Sequence, residues 1–337
     1  MKVLVSGASG YIGSHTSLEL LKAGHEVVGF DNFSNSSPVS IDRVKELAGK
    51  DMRLVKLDLL DPDGLDALVG EGFDAVIHFA GLKAVGESVE KPQLYLDNNV
   101  LGTHHLLSAM ERTDCRRLVF SSSCTVYGAV EKNPVDERHP RSVVNPYGRT
   151  KLDIEDMCYE LAGEDKRWKI ALLRYFNPVG AHESGRIGED PRGVPNNLMP
   201  FVMQTAVGRR EFVRVWGGDY PTHDGTGVRD YIHVVDLALG HMAALEKLDV
   251  FKGAQAVNLG AGRGYSVLEV IAASAKAAGK AIPHKILPRR PGDAPAIWAD
   301  VALAKKKLGW ATTRDLDRMC ADSWNWQKNN PEGYGAA

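Results

Sequence analysis

A glycine-rich turn between a strand and a helix constrains the fold of this chain more than any other stretch. The apolar residues 3–6 predict a buried strand, and Gly7, Gly10 and Gly13 follow it in a Gly-x-x-Gly-x-x-Gly spacing. Residues 14–22 then predict a helix. Glycines let backbone N–H groups approach a pyrophosphate, which the N-terminus of the following helix also attracts. The strand, turn and helix together therefore predict a dinucleotide-binding unit.

An acidic residue distinguishes between the two nicotinamide dinucleotides. Residues 26–30 predict the next strand, and Asp31 stands at its end. A carboxylate at this place accepts hydrogen bonds from both hydroxyls of the adenine ribose, and it repels a 2′-phosphate. We therefore expect NAD rather than NADP as the cofactor.

A second group of polar residues follows the apolar residues 118–120, which predict a short buried strand. Pro146 suits the first turn of a helix, and Tyr147 and Lys151 then lie one turn apart on one face. A phenol has a pKa near ~10, and a neighbouring ammonium group lowers it toward neutrality. We expect Tyr147 to act as a base, Lys151 as its electrostatic helper, and the hydroxyl of Ser123 to share the substrate proton.

Composition excludes several classes of function. The 337 residues carry a formal net charge of −2, which gives no general attraction to nucleic acid or to an anionic membrane. No apolar run reaches the ~18 residues that a membrane span requires. The four cysteines are scattered without a Cys-x-x-Cys pair, so we expect neither disulfides nor a metal site. These features favour the cytoplasm.

The order of predicted elements indicates the fold class. Strands and helices alternate through the first half, which is typical of an α/β fold with a Rossmann-type, doubly wound parallel sheet. After residue 175 the alternation loosens into a loop-rich passage. We expect residues 1–175 to form mainly the NAD-binding domain, with residues of about 228–260 returning to it. Residues 176–337 should form mainly a smaller, interleaved α/β lobe that binds the substrate.

The glycine spacing and the Tyr147-x-x-x-Lys151 pair resemble the extended short-chain dehydrogenase/reductase family. Three longer blocks, at residues 78–89, 174–182 and 227–233, are similar to the UDP-sugar 4-epimerases of that family. The resemblance extends from residue 2 to about residue 327. It implies that a permanently bound NAD oxidises sugar C4 to a ketone, that the 4-keto sugar turns over, and that hydride returns to the opposite face. It also implies a homodimer formed through helices near residues 97–112 and 147–163.

The resemblance assigns two sets of binding residues. The residues expected to hold NAD are Gly7, Gly10, Tyr11, Ile12, Gly13, Asp31, Asn32, Asn35, Ser36, Asp58, Leu59, Phe79, Ala80, Gly81, Lys83, Asn98, Ser121, Tyr147, Lys151, Tyr175 and Phe176. The residues expected to bind the UDP-sugar are Lys83, Ser123, Tyr147, Phe176, Asn177, Asn197, Leu198, Arg214, Val215, Trp216, Arg229, Arg290, Asp293 and Ile297. Among these, Arg229 and Arg290 would clamp the diphosphate, a task suited to permanently charged guanidinium groups.

Ile297 bears on the choice of sugar. Many members of the family carry tyrosine at this position, and others carry a small residue such as cysteine or serine. The side chain there helps to determine whether the pocket admits an N-acetyl group at sugar C2, and isoleucine is intermediate in bulk. We expect UDP-glucose and UDP-galactose as the main substrates. A UDP-N-acetylglucosamine 4-epimerase, or an epimerase of dual specificity, is the alternative.

Three other functions are compatible with the same fold. By resemblance, a sugar-nucleotide 4,6-dehydratase requires an Asp-Glu pair beside the active-site serine or threonine, where this chain has Cys124 and Thr125. A uronic acid decarboxylase is disfavoured because the long matched blocks belong to the epimerases. A non-catalytic dinucleotide sensor typically lacks the tyrosine or the lysine, whereas this chain has both Tyr147 and Lys151.

Overall fold

A seven-stranded parallel sheet forms the centre of the computed structural model, which describes residues 1–290 and 293–335. Its strands are β1 (Lys2–Ser6), β2 (Glu26–Asp31), β3 (Arg53–Lys56), β4 (Ala75–His78), β5 (Arg117–Ser123), β6 (Lys169–Tyr175) and β11 (Gly253–Leu259). They lie in the order β11-β6-β5-β4-β1-β2-β3. Strands β2 and β3 are added on one side of β1, and β4, β5, β6 and β11 are added on its other side. The carboxyl ends of β1 and β4 therefore border the crevice in which such sheets bind ligands. The predicted Rossmann-type, doubly wound sheet is confirmed.

Helices cover both faces of this sheet because their apolar stripes pack against its buried strands. One face carries α1 (Tyr11–Lys22), α2 (Val39–Ala48), α9 (Val234–Glu246) and α11 (Ala302–Leu308). The other face carries α3 (Pro62–Val69), α6 (Gly102–Arg112) and α7 (Pro146–Glu164). Side chains such as Leu18 and Leu237 fill the first layer, and Leu106 and Ile154 fill the second; all four are buried.

The helix expected over residues 97–112 begins earlier than predicted. Helices α4 (Val85–Glu90) and α5 (Pro92–Tyr95) precede it, and a π-helical stretch at Leu96–Leu101 leads directly into α6. A π-helical turn is rare and depends on tertiary contacts, so the sequence pattern does not reveal it.

The second half of the chain adds a smaller α/β lobe. Its strands are β7 (Asn177–Val179), β8 (Val213–Trp216), β9 (Val228–Arg229), β10 (Tyr231–His233), β12 (Tyr265–Ser266), β13 (His284–Leu287) and β14 (Ala296–Ile297). They form three small sheets, β10-β7, β12-β9-β14 and β13-β8. Helices α8 (Leu198–Ala206), α10 (Val267–Ala278) and α12 (Leu316–Asn329) enclose an apolar cluster that includes Met203, Val270 and Met319. The chain returns to the large sheet at α9 and β11, while the division near residue 175 stays a prediction.

A short C-terminal segment ties this lobe to the first half. The ring of Tyr334 lies 4.8 Å from the ring of Trp326, and the guanidinium of Arg43 on α2 lies over both rings. The backbone N–H of Tyr334 also donates to a carboxylate oxygen of Asp190 at 2.9 Å. In the described part of the chain, no helix is both long and apolar enough to cross a membrane.

Three of the buried histidines have strongly lowered pKa values: His15 in α1, His78 at the end of β4 and His241 in α9. Burial lowers the pKa of His15 and His78 to about 3 and that of His241 to about 4. His78 is bonded to Ser6 at 2.6 Å and to Thr103 at 2.8 Å. All three are therefore neutral in the folded protein at pH 7.

These histidines should make the fold sensitive to acid. A histidine in the unfolded chain has a pKa near ~6.5, so the unfolded state takes up protons that the folded state excludes. The free energy of unfolding is therefore highest above pH 6.5 and falls as the pH is lowered. We expect a loss of about 2 kcal/mol per histidine between pH 7 and pH 5. Urea unfolding at both pH values measures this loss, and His241→Leu should reduce it by one histidine's share. An unchanged pH dependence in that variant would contradict the prediction.

Candidate active site

The predicted phosphate turn lies between β1 and α1 at the centre of the sheet. Gly7 has a φ of 64°, and a Cβ on it would lie 2.8 Å from the backbone nitrogen of Ala80. A Cβ on Gly13 would lie 2.2 Å from the carbonyl oxygen of Gly7. Both positions therefore require glycine. Helix α1 begins after Gly10 and has no side-chain cap within the described residues, so the first N–H groups of its backbone suit an anion.

The carboxylate of Asp31 is held rigidly at the end of β2. One oxygen accepts from the backbone N–H of Ser9 at 3.0 Å, and the other accepts from the N–H of Phe33 at 2.9 Å and the hydroxyl of Ser36 at 2.8 Å. A carboxylate offers about four acceptor sites, so capacity remains for a ribose hydroxyl. The amide of Asn32 donates to Asp58 at 2.8 Å, which joins the loops after β2 and β3. Leu59 is buried beside them, and Asn35 is exposed.

The loop after β4 crosses the same end of the sheet. The backbone N–H groups of Phe79 and Ala80 donate to the hydroxyl of Ser6 at 3.0 and 3.1 Å. Gly81 follows with a φ of 157°, and Lys83 is exposed. These contacts hold the loop against the phosphate turn.

Asn99, which the sequence interpretation missed, fixes the far side of that loop. Its amide exchanges hydrogen bonds with the backbone N–H and carbonyl of Leu82 at 2.7 and 2.9 Å, and it donates to Thr150 on α7 at 3.2 Å. Asn98, which was predicted to bind NAD, donates to the same Asn99 oxygen at 2.9 Å. The only signal in the sequence was the pair of adjacent asparagines, and only the three-dimensional contacts distinguish their roles.

The predicted catalytic residues converge where α7 passes the end of β5. Asn145 caps α7 by accepting from the backbone N–H of Gly148 at 2.8 Å, which fixes the start of the helix just before Tyr147. The ammonium of Lys151 donates to the carbonyl of Ser121 at 2.8 Å and lies 6.0 Å from the centre of the Tyr147 ring. Ser123, the last residue of β5, lies next to the Tyr147 hydroxyl.

The expected fall in the pKa of Tyr147 is wrong for the protein alone. Burial raises this pKa to about 12, and the hydrogen bond with Ser123 opposes the rise without overcoming it. Burial also lowers the pKa of Lys151 to about 8. Lys151 does not offset the effect of burial on Tyr147, because its ammonium group donates to the carbonyl of Ser121 and not to the phenol. Positive charge brought beside the phenol would lower its pKa.

Two arginines and one carboxylate form a charged cluster in the smaller lobe. Arg229 approaches one oxygen of Asp293 at 3.8 Å, and Arg290 donates to the other at 2.9 Å. The Arg290 guanidinium also lies 5.8 Å from the ring centre of Trp216. One carboxylate cannot neutralise two guanidinium groups, so the cluster keeps a net positive charge that suits a diphosphate.

The remaining substrate residues divide into three environments. Ile297 pairs with Arg229 between β14 and β9 and packs in the cluster that contains Phe176. Val215 lies in β8 with its side chain fully buried, so only its backbone can face a ligand, and Arg214 beside it is exposed. Asn177 begins β7 and is half-buried.

Glu189 links two predicted ligands of the sugar or phosphate. One of its oxygens accepts from Lys83 at 3.0 Å and from Asn197 at 2.9 Å. Asn197 stands at the N-cap position of α8, which begins at Leu198, but its side chain makes no capping hydrogen bond there. Glu189 lies in the loop-rich passage, where no motif marks it.

The glycine turn, the rigid Asp31 carboxylate with spare acceptor capacity, and the uncapped start of α1 fit a dinucleotide. The tyrosine, lysine and serine at the end of β5 add a proton-transfer centre on the same edge of the sheet. Fold and site together define a nicotinamide-dinucleotide-dependent enzyme of the short-chain dehydrogenase/reductase type.

Comparison with known proteins specifies the family further. The family model described as GDP-mannose 4,6 dehydratase matches residues 4–323. The UDP-glucose 4-epimerase of Bacillus subtilis is 56% identical over 338 residues and covers 100% of both chains. The human UDP-glucose 4-epimerase is 55% identical over 342 residues, which cover 99% of this chain and 98% of the human protein.

A solved structure agrees with these relatives. The crystal structure of the Bifidobacterium longum UDP-glucose 4-epimerase in complex with NAD+ and UDP is 51% identical, with a TM-score of 0.96 over 99% of this chain and 100% of that one. The chain belongs to the UDP-glucose 4-epimerase family. The family model is described by a dehydratase, but Cys124 and Thr125 occupy the place where a dehydratase was expected to carry its acidic pair.

Proposed function

We propose that this protein interconverts UDP-galactose and UDP-glucose by oxidising and then reducing C4 of the sugar, with NAD as its bound cofactor. The observation that carries this function is the stacking of Tyr147 and Lys151 on one face of α7, against the serines that end β5. Full-length relatives that are UDP-glucose 4-epimerases support the choice of substrate.

The chain's own residues would hold NAD along the carboxyl edge of the sheet. The glycine turn and the start of α1 would bind the pyrophosphate, and Asp31 would accept from the adenine ribose. Lys151, whose ammonium group already reaches the end of β5, would hold the nicotinamide ribose. When bound, NAD takes a hydride from the sugar carbon, returns it, and in its oxidised form adds a positive charge to the site.

Tyr147 and Ser123 would move the proton. As a phenolate, Tyr147 removes the proton from the sugar 4-hydroxyl while the C–H bond at C4 gives up its hydride, leaving a 4-keto sugar. Ser123 donates a hydrogen bond that stabilises the phenolate, the direction in which it already acts on the pKa of Tyr147. Tyr147 then returns the proton to the C4 oxygen when the opposite face of the ketone has been reduced.

The arginine cluster would hold the substrate by its nucleotide while the sugar turns. Arg229 and Arg290 would bind the diphosphate, Asp293 the uridine ribose and Trp216 the uracil, with Asn177, Asn197 and Lys83 nearer the sugar. Because the fixed charges act on the diphosphate, the ketone remains free to present either face. This division of labour supports epimerisation rather than a net oxidation.

Substrate choice is tested by assaying purified protein with four UDP-sugars side by side. We expect UDP-glucose and UDP-galactose to be faster than their N-acetylated counterparts, because the buried Ile297 side chain fills space beside Phe176. Ile297→Ala should raise the relative kcat/KM for UDP-N-acetylglucosamine about tenfold or more. Faster turnover of UDP-N-acetylglucosamine than of UDP-glucose in the unmodified protein would reverse the ranking, and bound NAD without any interconversion would identify a sensor.

We further propose a homodimer formed through the helices near residues 97–112 and 147–163. Large apolar side chains are exposed on α4, on α5, on the π-helical stretch, and on or just before α7: Val85, Val89, Leu94, Leu96, Leu101, Val144 and Tyr159. Leu96 also lines a shallow apolar depression with Pro92, Val143 and Pro146. Soluble monomers rarely expose large apolar patches. These exposed apolar side chains therefore support burial of this surface against a second copy of the chain.

The dimer is tested by placing charge in this patch. Leu96→Glu together with Leu101→Glu should give a monomer, because two carboxylates cannot be buried against the same apolar surface without partners. Light scattering after gel filtration measures the mass, and Val250→Glu, an exposed apolar residue outside these helices, is the matched control. A dimer that persists in the double variant would require a different interface.

We propose a cytoplasmic location as well. The four cysteines Cys115, Cys124, Cys158 and Cys320 are all free thiols. Unpaired cysteines are typical of a reducing compartment. Fractionation of the source cells with an antibody to the protein tests this location.

A further inference from the structure

We propose that the buried ion pair between Glu155 and Arg174 is a positioning pair for the proposed epimerase reaction, which holds the catalytic face of α7 in register with the end of β5. The inference rests on the proposed function. It gives roles to two residues that belong to neither the NAD set nor the substrate set.

Glu155 lies on the same face of α7 as the two predicted catalytic residues of that helix. Tyr147, Lys151 and Glu155 follow one another at intervals of four residues, so all three lie on one face of the helix. Each contacts one of the three serines that end β5. Lys151 donates to the carbonyl of Ser121 at 2.8 Å, and Glu155 accepts from the hydroxyl of Ser122 at 2.5 Å.

Glu155 and Arg174 form a buried ion pair with two hydrogen bonds. Glu155 is 0% exposed and Arg174 is 2% exposed. The Arg174 side chain donates from Nε to one carboxylate oxygen at 2.8 Å and from a terminal nitrogen to the other at 2.6 Å. This two-point contact fixes the distance and the angle between α7 and β6, which a single point charge cannot do.

The pair is also connected to the turn that follows β5. The remaining guanidinium nitrogen of Arg174 donates to the hydroxyl of Tyr127 and to the carbonyl of Glu137, both at 3.3 Å. The Tyr127 hydroxyl then donates to Asn258 on β11 at 2.6 Å. One network therefore joins α7, β5, β6 and β11 directly behind Ser123.

Stability alone does not account for this arrangement. Replacing a buried ion pair by well-packed apolar side chains is often neutral or even stabilising, because the charges no longer have to be desolvated. What the pair supplies instead is one fixed geometry at the place where the reacting groups must be aligned. The carboxylate also favours the charged form of Lys151, against the burial that lowers the pKa of that lysine.

The deciding experiment replaces both members at once by Glu155→Met and Arg174→Met, which keeps side-chain length and leaves no unpaired charge. We expect a folded protein that contains NAD, with kcat lowered about 10- to 100-fold because small misplacements at a reacting centre have effects of that size. KM for UDP-galactose should stay within about threefold, since the arginine cluster is untouched. A folded double variant with the kcat of the unmodified protein would overturn the proposal.

Ser122→Ala provides a second, milder test that does not depend on the double variant folding. It removes the hydrogen bond between Glu155 and β5 and leaves the ion pair intact, so kcat should fall about tenfold with KM unchanged. Glu160→Gln is the control, because Glu160 also lies on α7 and its side chain is exposed. Unchanged kcat in Ser122→Ala would overturn the positioning role. Failure of the proposed function would be distinguishable, since the unmodified protein would then show no interconversion.

Discussion

Tyr147→Phe should lower kcat by about 10²- to 10⁴-fold while the protein stays folded and keeps its NAD. The substitution removes one oxygen, the only atom of the side chain that can accept the proton of the sugar 4-hydroxyl. It leaves the aromatic ring in place at the start of α7. The hydrogen bond of 2.8 Å from Lys151 to the carbonyl of Ser121 is also retained. Single-turnover and steady-state assays with UDP-galactose measure the loss.

A matched control separates the chemistry of this phenol from the loss of any hydroxyl on the helix. Tyr159 lies on the same helix and is partly exposed, so Tyr159→Phe should leave kcat within about twofold of the unmodified protein. Thermal unfolding and the absorbance of released NAD verify that both variants are intact. If Tyr147→Phe turned over at the normal rate, the base would have to be another group.

Gly13→Ala should deprive the protein of most of its bound NAD. The added Cβ would lie 2.2 Å from the carbonyl oxygen of Gly7 and 3.0 Å from the Cα of Ala8, both of which are backbone atoms. The turn must then open, and strain of this kind costs about 1–3 kcal/mol, which corresponds to roughly 10- to 100-fold in affinity. Nucleotide released by acid from purified protein and quantified by chromatography gives the occupancy.

Gly163→Ala is the appropriate comparison because it makes the same chemical change at an open position. Gly163 lies in α7, and a Cβ there would have no neighbour within 4 Å among the described residues. Alanine favours the helix, so we expect full NAD content and a stability gain of about 0.5–1 kcal/mol. Equal NAD content in the two variants would show that the turn tolerates a Cβ and that its predicted role is wrong.

Local patterns were sufficient to predict the architecture, and they also singled out two groups of candidate site residues. The strand, turn and helix around Gly7–Gly13 are set by neighbouring residues, and so is the stacking of Tyr147 over Lys151 at helical spacing. Their period and spacing are visible in the sequence. The structure accordingly places both groups at the same edge of one parallel sheet.

Properties that depend on tertiary contacts were beyond this kind of reasoning. The pKa of Tyr147 depends on how completely packing excludes water, and the sequence interpretation therefore had the direction of its shift wrong for the protein without ligands. Glu189 contacts Lys83, which is 106 residues away in the sequence, and no local sequence pattern links residues that far apart. Glu155 was four residues beyond Lys151 all along, but only the fold brings Arg174 to it.

The stacking of Tyr334 and Arg43 on Trp326 gives the protein a built-in optical reporter. Indole emission is sensitive to the polarity and the cationic groups around the ring, and Trp326 is 3% exposed beneath both partners. A difference spectrum against Trp326→Phe would isolate this one fluorophore from the other tryptophans. Release of the C-terminal segment would then be followed as a red shift in real time, without substrate.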